Sequence, residues 1–311
     1  MIMKHFISLK EIQAKELRKI ISDAKIRKRK RKKLNTLDVD KDSPLKGKLL
    51  IQMFEKSSTR TRLSFYLAIK QLGGSALTLR PDELHLAKGE TLADTAKILS
   101  TYGNAFMLRT DSDKKMEEFK KYIGIPIING LSPSAHPTQV LSDIFTIEEI
   151  KKKPISKLNI CWIGDGNNNV INSLIAASVK FSFSLNIGCP KKYKPNKRIL
   201  RWVKMNKKRV NIFVNPKDAA KNADVIFTDK VISMNDKVNK IEKLKDFKNY
   251  QVNSRIMGLA KKNAIFLHCL PRGQEVTDSV FLGNQSKVWQ QAFNRVYVQK
   301  SILLYCFNKL R

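Results

Sequence analysis

KLLIQMFEKSSTRTRLSFYLAIKQLGG, residues 48–74, holds two hydrophobic periods in one short stretch. Its first seven residues form an apolar run of strand length. From Thr59 onward Leu63, Tyr66, Leu67 and Leu72 recur at helical spacing, and Gly73-Gly74 supplies a left-handed stop. A strand joined to a helix by a tight polar loop is the building unit of an α/β protein.

The alternation extends in both directions. Residues 8–33 read as a helix, followed by a turn between Asp38 and Pro44. Beyond the quoted stretch, residues 105–109 and 125–128 read as strands, and 137–152 as a helix with its proline in the first turn. After Pro154 the rhythm restarts, with strands at 159–163, 185–187, 211–214, 225–228 and 264–268 and helices at 171–180 and 199–205. Strands that alternate with helices predict parallel sheets covered on both faces. The expected fold is therefore α/β, with two domains, 1–152 and 153–289, each a parallel sheet flanked by helices. A last helix within 290–311 is expected to return to the first domain.

With 311 residues, 42% of them hydrophobic, the chain can bury two cores and is unlike a disordered protein. It has no run approaching the ~20 apolar residues needed to cross a bilayer, and its first residues lack the apolar centre of a secretion signal. A soluble cytoplasmic protein with no membrane partner is expected. Cys161, Cys189, Cys269 and Cys306 are scattered without a C-x-x-C pair, which speaks against a disulfide framework and a zinc site. The net charge of +33 is extreme, yet lysines run along the whole chain together with abundant Asn, Ile and Phe, as a compositional bias would produce. The one dense basic run, 25–33, has no interleaved aromatics for base stacking, so no specific nucleic acid is expected.

Ser58-Thr59-Arg60-Thr61-Arg62 follows a strand and opens a helix, combining free amides, a positive helix end, hydroxyls and guanidinium groups. That set suits a phosphate; the competing reading is a capped helix with two solvated arginines. His136-Pro137-Thr138-Gln139 brings an imidazole and an amide to the start of another helix, where a lone histidine would ordinarily belong to a surface loop. Gly164-Asp165-Gly166-Asn167-Asn168-Asn169 follows a strand as a dinucleotide loop does, but Asn169 replaces the third glycine and no acid ends the next strand.

Taken together, these segments resemble the aspartate and ornithine carbamoyltransferases. Phe54-x-Lys56-x-Ser58-Thr59-Arg60-Thr61-Arg62-x-Ser64-Phe65 is similar to that family's carbamoyl-phosphate signature, and His136-Pro137-x-Gln139 to its H-P-x-Q motif. His268-Cys269-Leu270-Pro271 resembles the ornithine branch, which differs here from the aspartate branch. The resemblance implies that Ser58, Thr59, Arg60, Thr61, Arg109, His136, Gln139 and Arg295 bind carbamoyl phosphate. His85 stands where the family usually has a glutamine that reaches a neighbouring subunit's carbamoyl phosphate. It also implies that Asn169, with Asn168 as second candidate, Asp229, Ser233, Met234, Cys269 and Leu270 hold ornithine. Cys269, Asp229, Arg109 and His136 would be the catalytic groups, with no metal and no cofactor, in a homotrimer or a multiple of trimers.

The implied reaction is carbamoyl phosphate plus L-ornithine to L-citrulline plus phosphate, in arginine biosynthesis or catabolism. The rivals are a carbamoyltransferase for another amine, such as putrescine or an acylated ornithine, and a catalytically lapsed nucleic-acid-binding protein. The chain departs from the family at His85, at Asn235 in place of a glycine, at Phe293 in place of a glutamate and at Tyr66 in place of a glutamate. The chemistry sets a clear demand. A δ-amine titrating near ~10.4 must be presented neutral at pH ~7.4, at a cost of about 4 kcal/mol, so an acid and a thiol beside it have work to do.

Overall fold

The computed structural model describes residues 3–84, 89–232 and 239–310. The chain divides into two compact units, one made of 1–145 with 293–311 and the other of 146–292.

The first unit contains α1 (Ala14–Lys30), β1 (Leu49–Phe54), α2 (Thr59–Gln71), β2 (Ser75–Leu79), α3 (Leu92–Tyr102), β3 (Ala105–Arg109), α4 (Asp113–Tyr122) and β4 (Ile127–Leu131). It also holds the start of α5 (Pro137–Lys151). Its strands pair in parallel in the order β2-β1-β3-β4. β3 is buried at every position, which is why AFMLR reads as a continuous apolar run rather than an alternating one. Ile51, Met53, Phe106, Leu108, Met116 and Phe119 form the core on one face.

The second unit contains β5 (Asn159–Ile163), α6 (Asn169–Phe181), β6 (Ser184–Gly188), α7 (Lys197–Met205), β7 (Asn211–Phe213), α8 (Pro216–Ala220) and β8 (Val225–Thr228). It continues with α9 (Lys240–Asp246), α10 (Ser254–Leu259), β9 (Ile265–His268), α11 (Asp278–Phe281) and the start of α12 (Val288–Cys306). This parallel sheet runs β7-β6-β5-β8-β9.

From Phe293 onward α12 belongs to the first unit. There Lys28 donates to Asn294 at 2.7 Å, Ser301 donates to Asp23 at 2.6 Å, and Tyr305 stacks edge-on to Phe6. The expected α/β architecture and the returning C-terminal helix are both present. α1 is shorter than the predicted 8–33 because Gln13 is its extended N-cap and residues 8–11 form a turn. At its other end Arg31 leaves the helix and donates to the carbonyls of Asn35 and Asp38 and to Asp40, closing the next turn. Arg27 is likewise engaged by Asp23, Asp40 and Asp42, so part of the basic run is internal scaffolding. Among the described residues no helix is long and apolar enough to cross a membrane.

In each sheet the strand order reverses beside a central strand, between β1 and β3 and between β5 and β8. At such a reversal the loops beyond the carboxyl ends diverge and leave a crevice for ligands.

Candidate active site

In the first unit the reversal lies beside Phe54 and Arg109, which are paired in register at the ends of β1 and β3. The loop leaving β1 is braced by Glu55, which accepts from Thr110 Oγ1 and pairs with Lys115 of α4. Ser58 then caps α2, its hydroxyl accepting from the Thr61 N–H at 3.3 Å, and Thr59, Arg60 and Thr61 form the first turn. Ser58 is thus an N-cap, and capping leaves the same helix end open to an anion, so the two sequence readings of Ser58 are compatible. A cavity of about 590 Å³ beside this turn is lined by Lys56, Ser57, Ser58, Thr59, Arg62 and Arg80 among others.

His136 immediately precedes α5, on a loop held by Asp113, which accepts from Ser132 Oγ at 2.7 Å and Ser134 Oγ at 2.8 Å. It is buried. Burial, with the nearby charges of Arg295, Arg109 and Arg60, holds the imidazole well below its ordinary value, so it is neutral at physiological pH. A neutral imidazole among guanidinium groups can donate to a carbonyl oxygen without adding a further charge.

Arg295, buried on α12, donates to Thr61 Oγ1 at 2.7 Å and to Gln139 Oε1 at 2.5 Å. The Gln139 amide in turn donates to Asp143 at 2.8 Å. One guanidinium thus ties the first turn of α2 to the first turn of α5. Phe293 is exposed and stacks on Tyr297, and its presence leaves these Arg295 bonds in place. Tyr66 is also exposed and contributes nothing to this cluster.

In the second unit the reversal is flanked by the loop 164–168 after β5 and by Asp229 after β8, and the end of β9 lies alongside. Asn168 caps α6, its Oδ1 accepting from the Val170 and Ile171 N–H groups at 3.0 and 2.9 Å, while Asn169 is the first helical residue. The Asn168 oxygen is therefore committed to the helix. Both side chains are half-buried.

Cys269 donates its thiol hydrogen to Asp229 Oδ1 at 2.9 Å. Burial pushes the Asp229 carboxyl above its ordinary range, a tendency that Glu275 adds to and that His268, the Cys269 bond and the Lys230 N–H oppose. His268 is buried, its Nδ1 accepting from the Leu270 N–H at 2.8 Å and its Nε2 facing Glu275 Oε1 at 2.9 Å. The backbone donor fixes the tautomer, so Nε2–H must be the group that donates to Glu275. Burial disfavours the Glu275 anion, but the His268 and Gly273 hydrogen bonds outweigh it and hold that carboxyl below its ordinary range.

Asp229, His268 and Cys269 have ligand-type atoms within 4.8 Å of one another. Both ring nitrogens of His268 are already used in hydrogen bonds, which makes the trio a proton-bearing network rather than a metal set. Leu270 has φ +59°, an uncommon conformation for a branched side chain, and its bond to His268 holds it there.

The structure thus brings Ser58, Thr59, Arg60, Thr61, Arg109, His136, Gln139 and Arg295 together in the first unit, and Asn168, Asn169, Asp229, Cys269 and Leu270 in the second. His85, Ser233, Met234 and Asn235 lie outside the described residues. Sequence reasoning missed the supporting groups Glu55, Lys115, Asp143, Asp165, Lys243 and Glu275. Their partners lie at unrelated positions in the chain, and no local pattern marks them.

Similarity to known proteins covers nearly the whole chain. Residues 4–149 match the model of the carbamoyl-P binding domain, and residues 156–306 that of the Asp/Orn binding domain, of aspartate/ornithine carbamoyltransferase. The chain is 43% identical over 309 residues to an ornithine carbamoyltransferase of Caulobacter vibrioides, covering 99% of this chain and 98% of that relative. A Brucella abortus ornithine carbamoyltransferase is 42% identical, with 98% of this chain and 96% of that one covered. Among solved structures, the ornithine carbamoyltransferase from Pyrococcus furiosus superposes with a TM-score of 0.91 at 37% identity, covering all of both chains. The anabolic enzyme from Campylobacter jejuni gives a TM-score of 0.88 at 34% identity, with 99% of this chain and 100% of that one covered. Two matched domains, full-length similarity and the shared fold lead to one conclusion: the chain belongs to the aspartate/ornithine carbamoyltransferase family.

Proposed function

We propose that this protein transfers the carbamoyl group of carbamoyl phosphate to the δ-amine of L-ornithine, releasing L-citrulline and phosphate. The observation that carries the ornithine reading is the Cys269–Asp229 contact at 2.9 Å within His268-Cys269-Leu270-Pro271, the segment that resembles the ornithine branch. The relatives named above support it over nearly their full length.

In this reading the phosphate sits on the first turn of α2, held by the amides and hydroxyls of Ser58, Thr59 and Thr61 and by Arg60 and Arg109. His136 and Arg109 donate to the carbamoyl oxygen, and Gln139 Oε1 accepts from the carbamoyl amino group. Asn169, Asn168, Asp229, Leu270 and, from outside the described residues, Ser233 and Met234 hold the amino-acid end of ornithine. His85, also outside them, is the residue proposed to reach a neighbouring subunit's substrate.

The neutral δ-amine attacks the carbamoyl carbon, and the carbonyl becomes an oxyanion stabilised by donors already in place. The C–O bond to phosphate then breaks, and the proton lost by the amine leaves with the phosphate or passes to the Asp229–Cys269 network. A neutral His136 suits this role, since it strengthens its bond as the oxyanion forms without repelling the three guanidinium groups.

We propose further that the protein works in arginine metabolism, in the cytoplasm, as a homotrimer or a multiple of trimers. Exposed apolar residues on the first unit, Leu63 and Tyr66 of α2, Leu77 of β2 and Ile98 and Tyr102 of α3, support self-association. The decisive test is citrulline formation by the purified protein, with putrescine and acylated ornithines as competing acceptors. A higher kcat/KM for another amine would overturn the acceptor, and no transfer to any amine would overturn the enzyme. Sedimentation would refute the assembly if only monomer were found.

A further inference from the structure

α9 has an unusual anchor: its one buried residue is a lysine, Lys243, at 2% exposure. Short surface helices are normally held by an apolar stripe, and a buried ammonium is stable only beside a counter-charge. Lys243 Nζ lies 2.6 Å from Asp165 Oδ2, whose carboxylate is itself buried, and the rings of Tyr193 and Phe247 flank the ammonium at 5.4 and 6.0 Å.

Asp165 is the acid of the Gly164-Asp165-Gly166 loop, and its other hydrogen bonds tie it to that loop and to β5. Its second oxygen accepts from the Asn167 N–H at 2.8 Å, and its carbonyl accepts from Trp162 Nε1 at 3.0 Å. Gly164 has φ +141°, and a Cβ on Gly166 would come within 2.6 Å of the Tyr193 carbonyl oxygen. Two glycines make the loop possible but add nothing to its rigidity, so the ion pair supplies what side-chain packing cannot. The loop delivers Asn168 and Asn169 to the start of α6.

We propose that Lys243 is a positioning residue for the amino-acid substrate, acting through Asp165 to set the loop that presents Asn168 and Asn169. This rests on the ornithine reading of that loop. The carbamoyl-phosphate residues are all in the other unit and draw nothing from this pair.

Steady-state kinetics with each substrate varied, on Lys243→Met, Lys243→Arg and the double variant Asp165→Asn/Lys243→Met, test the idea. Lys243→Met should raise KM for ornithine about ten-fold or more, with KM for carbamoyl phosphate changed by less than about two-fold. Lys243→Arg keeps the charge and should recover most of the loss. The double variant removes both buried charges, so it should regain thermal stability while its KM for ornithine stays raised. An unchanged ornithine KM in Lys243→Met, an equal rise for both substrates, or a double variant with wild-type ornithine KM would overturn the proposal. Should the wild type make no citrulline, the functional reading fails by itself. Amide hydrogen exchange over residues 164–169 then decides the positioning claim: faster exchange in Lys243→Met supports it, and unchanged exchange overturns it.

Discussion

Replacing Arg295 by methionine removes a buried guanidinium that donates to both Thr61 and Gln139. Hydrogen bonds from a charged donor contribute about 1.5–3 kcal/mol each, but methionine also escapes the desolvation of a buried cation, so the net loss of stability should be only about 1–2 kcal/mol. Activity should suffer more. With their tether gone, Thr61 and Gln139 can drift by about 1 Å, a displacement that costs about 100-fold, so kcat/KM for carbamoyl phosphate should fall by about that factor, or ~2.7 kcal/mol. The pH profile carries a second signature. Burial is the main cause of the lowered His136 pKa, and Arg295 stands next ahead of Arg109 and Arg60, so the variant should titrate closer to the ordinary 6.5. Because the folded value lies below the unfolded one, the stability tied to neutral His136 is full above about 6.5 and declines as pH falls toward the folded value, at up to ~1.4 kcal/mol per unit. The variant should therefore show a narrower window of pH-dependent stability and an acid limb of kcat/KM displaced to higher pH. Citrulline assays and urea unfolding from about pH 5 to pH 8 would measure both. Superimposable pH profiles together with kcat/KM within about two-fold of wild type would refute the reasoning.

Arg60→Ala should leave the unfolding midpoint unchanged and lower kcat/KM by about 100-fold or more, since a guanidinium at the start of α2 has no geometric substitute; near-normal turnover would defeat the phosphate assignment. Cys269→Ser should lower kcat/KM for ornithine by at least about ten-fold and alter its pH dependence, with carbamoyl-phosphate affinity almost unchanged by calorimetry. An equal loss for both substrates would make Cys269 a residue of the fold. Lys300→Met should be neutral within about 1 kcal/mol in urea unfolding, because burial already pushes that ammonium down to about 8 and Asp40 keeps Arg27 and Arg31. Asp40→Ala, which strands the buried Arg31 and Lys300 while Arg27 keeps Asp23 and Asp42, should by the same measurement cost about 3–5 kcal/mol.

The buried strands of both sheets could be read because they appear as largely apolar runs, and β3, β5 and β8 begin and end within a residue of their predicted limits. β2, α3 and α4 were not anticipated, for identifiable reasons. β2 is an edge strand with no fully buried residue, and SALTL carries no strong pattern. α4 buries only Met116 and Phe119 in a segment crowded with charge, too few to establish a period. The candidate site was legible where a motif is contiguous, as at Ser58 to Arg62 and His268 to Pro271. It was illegible where a side chain is positioned by one distant in the chain, as Asp165 is by Lys243, 78 residues away. Helix capping shows the same limit: the sequence ranks Asn169 ahead of Asn168 as a ligand but does not say which of them caps α6, and only the backbone reveals that it is Asn168.

The discontinuous make-up of the first unit bears on how the protein is born. On the ribosome, residues 146–292 emerge as one continuous block and have every strand they need, whereas the unit begun by the first 145 residues stays unfinished until the final stretch is released. That stretch brings Arg295 to Thr61 and Gln139, and Lys300 to Asp40. A nascent or prematurely terminated chain therefore carries the first turn of α2 without its clasp, and Asp40 without one of its three cations. Synthesis order and folding order run opposite here: the half of the molecule translated first is the last to be completed.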